Sequence, residues 1–165
     1  MGNNITLQRY SRFLEYLYDK KLQNKYEILI IGKATSNDIF NILLKYANQN
    51  IVIKNECPDH CSLQSIISQS RLVVFTYAKS SVLSSGALMD TLGFGANIIG
   101  PNVGAFADLE KEGLLRTFND FTNLIVILDE ELHKVSEICN DKVTHFLGDN
   151  SWFKYAEKID IFTDI

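Results

Sequence analysis

Ser84, Ser85 and Gly86 stand directly ahead of an apolar stretch, and Asp90 follows Gly86 by one helical turn. Hydroxyls and free amides at the start of a helix, backed by the positive end of its dipole, suit an anion. Gly86, with no side chain, lets a diphosphate approach the backbone closely. A carboxylate at Asp90 projects from the same helical face as Gly86, where it can accept hydrogen bonds from ribose hydroxyls. A second glycine-rich turn, residues 100–106 (GPNVGAF), follows a short apolar run and adds further amides. Two amide-rich turns flanking one strand suit a nucleotide diphosphate. Serine and glycine at a helix start, and glycine after a helix, are also ordinary capping residues. The functional reading therefore rests on their order and not on any one of them.

Other constellations do less. Cys57, Asp59, His60 and Cys61 lie within five residues, with His133, Cys139 and His145 further on, but the spacing matches no zinc pattern, so a loop and a helix cap are expected there. No Gly-X-Ser-X-Gly elbow supports a catalytic serine. The turn Gly32-Lys33-Ala34-Thr35-Ser36 lacks the Gly-X-Gly-X-X-Gly of a dinucleotide site. No residue is assigned a catalytic role and none a metal.

Composition narrows the class. At 165 residues, 46% hydrophobic and 22% charged, the chain can bury one sizeable core, and one domain over residues 1–165 is expected. A net charge of −4 argues against a phosphate-backbone binder, so no nucleic acid is expected as partner. The apolar runs are too short to span a bilayer and the amino terminus has no signal-peptide core. With three cysteines, an odd number in a chain large enough to need no staples, the expected location is the cytoplasm.

The elements that must position the two turns read as an alternation. Residues 26–31 (YEILII), 51–54 (IVIK), 72–76 (LVVFT), 97–100 (NIIG) and 124–128 (LIVIL) are short, apolar and rich in β-branched side chains, and read as strands buried on both faces. Residues 7–20, 37–48 and 63–70 carry apolar positions at helical spacing, with Ser36 and Ser62 as expected N-caps. The alternation predicts an α/β fold, an open, doubly wound, mainly parallel sheet with helices on both faces. Ligands settle at the carboxyl ends of such strands, which is where the stretch from Ser84 to Asp90 falls.

The run SSGALMDTLGFGANIIGPNVGAFADL, residues 84–109, resembles the donor-binding half of GT-B glycosyltransferases, in particular the family 4 type. LVVFTYAKS resembles the strand and tyrosine that lead into that motif, NSWFKYAEKIDIF the closing helix, and YEILIIGKATSN the strand and glycine after the first helix. The resemblance covers most of the chain. It implies a Rossmann-like half of a GT-B fold that binds a nucleotide-sugar donor, such as a UDP-sugar or GDP-sugar. It further implies metal-independent transfer of a hexose to a glycan or lipid-linked acceptor in bacterial surface polysaccharide biosynthesis, with no cofactor. No Asp-X-Asp metal motif is present, in keeping with that chemistry.

Carried over residue by residue, the resemblance puts the ribose-binding acid on Asp90, where the family usually has glutamate, and the diphosphate or sugar amides on Ser84, Ser85 and Gly86. Gly104 matches the glycine of the next turn and Asp108 a common glutamate. Val82 replaces a further glutamate, which departs from the family's sugar recognition. Arg9 falls nearest the family's diphosphate-neutralising lysine, with Lys79 and Lys33 as further sources of positive charge. The acceptor-binding amino-terminal half has no counterpart in this chain, which starts at what reads as the end of the donor half's first strand. The expectation is thus an excised piece or a short protein that binds donor and transfers nothing by itself. Its partner would be that missing half, with peripheral membrane association of the full-length enzyme. The alternative is a non-catalytic, flavodoxin-like interaction module with structural glycine turns.

Overall fold

The computed structural model describes residues 3–34, 36–77, 86–134, 140–151, 153–154 and 156–157. Helix α1 (Asn3–Asp19) carries Phe13, Leu14 and Leu17 on one side, and all three are buried. It leads into β1 (Ile28–Ile31), which pairs in parallel with β2 (Ile51–Lys54), Ile28 beside Ile51 and Ile31 beside Lys54. Between them runs α2 (Asn37–Leu44), capped by Ser36, whose Oγ accepts from the Ile39 amide at 3.4 Å.

Helix α3 (His60–Gln69) is followed by β3 (Val73–Val74), α4 (Gly86–Gly93), β4 (Ile98–Pro101), α5 (Gly104–Lys111) and β5 (Arg116–Phe118). Strands β3, β4 and β5 form a second parallel sheet in that order. Helices α6 (Phe121–His133) and α7 (Asn140–Asp149) complete the elements among the described residues. The protein is therefore α/β, with short parallel strands in two small sheets. One apolar core joins α1, β1, β2 and α6 to Ile99 and Phe118, and a second gathers α4 and α5 around Phe75, Ile98 and Phe106.

Residues 124–128, expected as a strand, are the middle of α6. Leu124, Ile127 and Leu128 are buried at helical spacing while Val126 points outward, and Asp120 caps the helix by accepting from the Asn123 amide at 2.8 Å. Five apolar residues in a row fit a strand or a buried helix face equally well, and only the cap and the length of the helix separate the two. The strand in that part of the chain is β5. It is fixed by Glu110 of α5, whose carboxylate accepts from the Thr117 amide at 2.7 Å and hydroxyl at 2.5 Å.

Ser62 does not cap α3. Asp59 does, with its carboxylate accepting from the Ser62 amide at 2.8 Å, and the helix starts at His60. A carboxylate in that position meets the helix dipole as well as the free amide, which a hydroxyl does not. Nor are all the strands buried on both faces. β4 is, but Leu29 and Val52, neighbours across the β1–β2 ladder, are 43% and 45% exposed. Boundaries elsewhere shift by up to four residues, the most at the start of α1, which begins at Asn3, and at the end of α2, where residues 45–48 leave the helix.

Candidate functional site

Aromatic packing holds the turn at Gly104 against the residues that follow β3. Because β3, β4 and β5 are parallel, their carboxyl ends share one edge, and α5 begins there at Gly104, directly after β4. Gly104 has φ +51°, in the left-handed region that a side chain would strain, and Gly95, which follows α4, has φ +74°. In the first turn of α5, Phe106 is fully buried against Phe75 and Tyr77, with ring centroids 5.4 and 5.9 Å away. Those two aromatics are the continuation of β3, so the start of α5 is held beside the chain that leaves β3 towards Gly86.

The start of α5 has no side-chain cap. Val103 occupies the N-cap position and offers no acceptor, so the first amides of the helix are not met by the residue that most often meets them. The turn is tied sideways instead, as the Asn102 amide donates to Phe118 O at 2.9 Å and the Asn102 side-chain amide donates to Asn119 Oδ1 at 3.2 Å. A similar tie joins the loops after β1 and β2, where the Ala34 amide donates to Asn55 Oδ1 at 2.8 Å. Asn102 lies in the turn that the sequence singles out, but Asn119 escaped the sequence reading because β5 did, and without β5 nothing puts Asn119 at this edge.

Gly86 opens α4 with no atom of the described residues within 4 Å of where a Cβ would stand, so packing among them gives no reason for glycine there. Asp90 lies one turn further on, exposed like Gly86, while Leu88, Thr91 and Leu92 take the buried side. Asp108 pairs with Lys111 at 3.0 Å on the exposed face of α5, which accounts for it as a surface ion pair. Lys33 is exposed in the loop after β1. Lys79, Ser84 and Ser85 lie outside the described residues, as does the side chain of Arg9, whose backbone belongs to α1. Four cavities among the described residues are lined by residues other than Gly86, Asp90 and Gly104; two of them lie at the opposite edge, around Gly95 to Asn97.

Close to the carboxyl end of β3 is a group that sequence gave no sign of. The phenol of Tyr10, a residue of α1, is pushed up to about 12 by burial, with Tyr77 adding to the rise and a hydrogen bond with the Thr76 hydroxyl opposing it. It stays neutral across the physiological range. The cysteine-rich loop has a structural use, since Asp59 is the cap of α3 and the His60 ring packs edge-on against Phe94 at 4.8 Å. Cys57 and Cys61 are free and exposed, His145 faces Asp149 at 3.3 Å, and Cys139 lies outside the described residues.

No protein-family model and no curated protein matches the chain. No helix among the described residues is long and apolar enough to cross a membrane.

Proposed function

We propose that the chain is the nucleotide-sugar donor-binding domain of a GT-B type glycosyltransferase, built on a single doubly wound sheet of which the two small sheets are parts. The observation that carries the reading is helix α5, which opens at Gly104 directly after β4 without a side-chain cap, together with α4, which opens at Gly86 in the connection between the neighbouring parallel strands β3 and β4. Amides at two adjacent helix starts hold a diphosphate, and Asp90, exposed one turn into α4, accepts from the ribose. Ser84 and Ser85 add hydroxyls ahead of Gly86, and Lys79 and Arg9 add positive charge. Amides and helix dipoles then stabilise the leaving diphosphate without a metal ion. Transfer of the sugar requires an acceptor-binding half in addition to this domain, and the reading includes a cytoplasmic protein working beside the acceptor of a polysaccharide pathway.

Calorimetric titration with UDP, GDP and ADP tests the reading. Saturable binding of one diphosphate in preference to the others supports it and names the base. A folded chain that takes up none of the three, alone or together with an acceptor-binding half, leaves the flavodoxin-like interaction module as the reading.

A further inference from the structure

Strands β1 and β3 face each other across a cleft and belong to different sheets. The Ile28 and Gly32 amides donate to Asn50 O and Lys54 O on the β2 side at 2.8 and 3.2 Å, and the Val73 and Phe75 amides donate to Asn97 O and Ile99 O on the β4 side, both at 2.9 Å. Backbone polar groups alternate in direction along a strand. Those of Leu29 and Ile31 from one edge, and of Val74 and Thr76 from the other, therefore point into the cleft. The cleft has a volume of about 160 Å³, and besides the two strand edges its walls include Phe13 of α1 and Leu128 of α6. Thr76, 1% exposed, borders it.

Buried backbone groups are almost always paired, and an apolar cleft gives water little to hold on to. Two open strand edges facing one another across a cleft are complementary to one object, an extended backbone that bonds to both. Helix α1 adds a second argument. It feeds β1 and covers the cleft with Tyr10 and Phe13. In a right-handed β-α-β unit, a helix packed over a strand in that way also covers the strand alongside it.

We propose that the cleft between β1 and β3 is the seat of a further strand, supplied by an extended segment of a partner polypeptide with β-branched apolar side chains facing the core. Such a strand joins the sheets in the order β2, β1, inserted strand, β3, β4, β5. Hydrogen-bond complementarity of both edges selects it over a small apolar ligand, which would leave the backbone groups unpaired. The inference stands on the sheet edges and does not depend on donor binding.

Amide hydrogen exchange on the chain, alone and with the blocked peptide acetyl-Lys-Val-Ile-Val-Ile-Gly-Lys-amide as probe, tests it. Alone, the Leu29, Ile31, Val74 and Thr76 amides should exchange about tenfold or more faster than those of Ile28, Ile30, Val73 and Phe75. The peptide should slow the first group selectively, and its counterpart with proline at the centre should not. Equal protection of both groups in the chain alone would mean that the edges already have partners and would overturn the proposal. Fast exchange that the peptide leaves unchanged would overturn it too.

Discussion

The ring of Phe106 lies so close to the backbone of Gly100 that a Cβ on Gly100 would stand 2.1 Å from its Cδ1. This glycine therefore serves packing, since Phe106 is fully buried and has nowhere to move. Gly100→Ala should lower stability by about 3 kcal/mol, the upper end of the cost of overpacking a core. Urea denaturation monitored by circular dichroism would show it as a fall in midpoint with the slope unchanged. A loss below about 1 kcal/mol would mean that the ring is free to give way.

Gly86 is the opposite case. With open space around its Cα, Gly86→Ala should leave stability within about 0.5 kcal/mol of the parent. If two helix starts hold a diphosphate, the added methyl obstructs its approach to the α4 amides. Affinity for the preferred nucleoside diphosphate should then drop about tenfold or more. Titration of the two proteins side by side separates a glycine kept for a ligand from one kept for the fold. Unchanged affinity would remove the start of α4 from the site.

How far the sequence reveals these features depends on how local their causes are. Phe13, Leu14 and Leu17 on one side of α1, Ser36 capping α2, and the ends of α4 at Gly93 and Gly95 are set by residues within one or two turns, and each was legible. Residues 124–128 were not, because an apolar run of that length is consistent with both periods, and what decides for α6 is the Asp120 cap before it and the acidic turn after it. Strand β5 is legible only in three dimensions. Its three residues begin with Arg116, which pairs with Glu130 and Glu131 of α6, and are anchored by Glu110 of α5. The approach of Phe106 to Gly100 and the burial of Tyr10 likewise depend on neighbours that come from elsewhere in the chain.

Asp90 is the residue on which ribose recognition is proposed to depend. It is exposed in the middle of α4, where alanine has the higher helix propensity, so Asp90→Ala should fold as stably as the parent or up to about 0.5 kcal/mol more stably. Loss of hydrogen bonds from ribose to a carboxylate should weaken nucleoside diphosphate binding by about tenfold or more, and binding of inorganic pyrophosphate, which has no ribose, should not change. Measuring both ligands distinguishes a ribose contact from a general effect on the site. Equal weakening of both would place Asp90 at the diphosphate.

Asp129 of α6 ties that helix to the start of β1. Its carboxylate accepts from Lys25 Nζ at 2.6 Å and from the Tyr26 hydroxyl at 2.7 Å, and these two hydrogen bonds hold its pKa below the ordinary aspartate value, while burial, and after it the bond to Asp129, holds that of Tyr26 above the ordinary tyrosine value. A carboxyl group whose pKa is lower in the folded protein than in the unfolded chain stabilises the fold above the unfolded value, about pH 4, and loses that contribution as pH falls through the folded value. Asp129→Asn should therefore cost about 1 kcal/mol at pH 7, a modest figure because the pair is partly open to solvent. The difference between the two proteins should shrink on acidification below about pH 4 and level off once the parent carboxyl is protonated. Thermal or urea unfolding of both proteins between neutral pH and pH 2 measures this. A difference that stays constant through the acid range would show that Asp129 acts through the shape of its side chain and not through its charge.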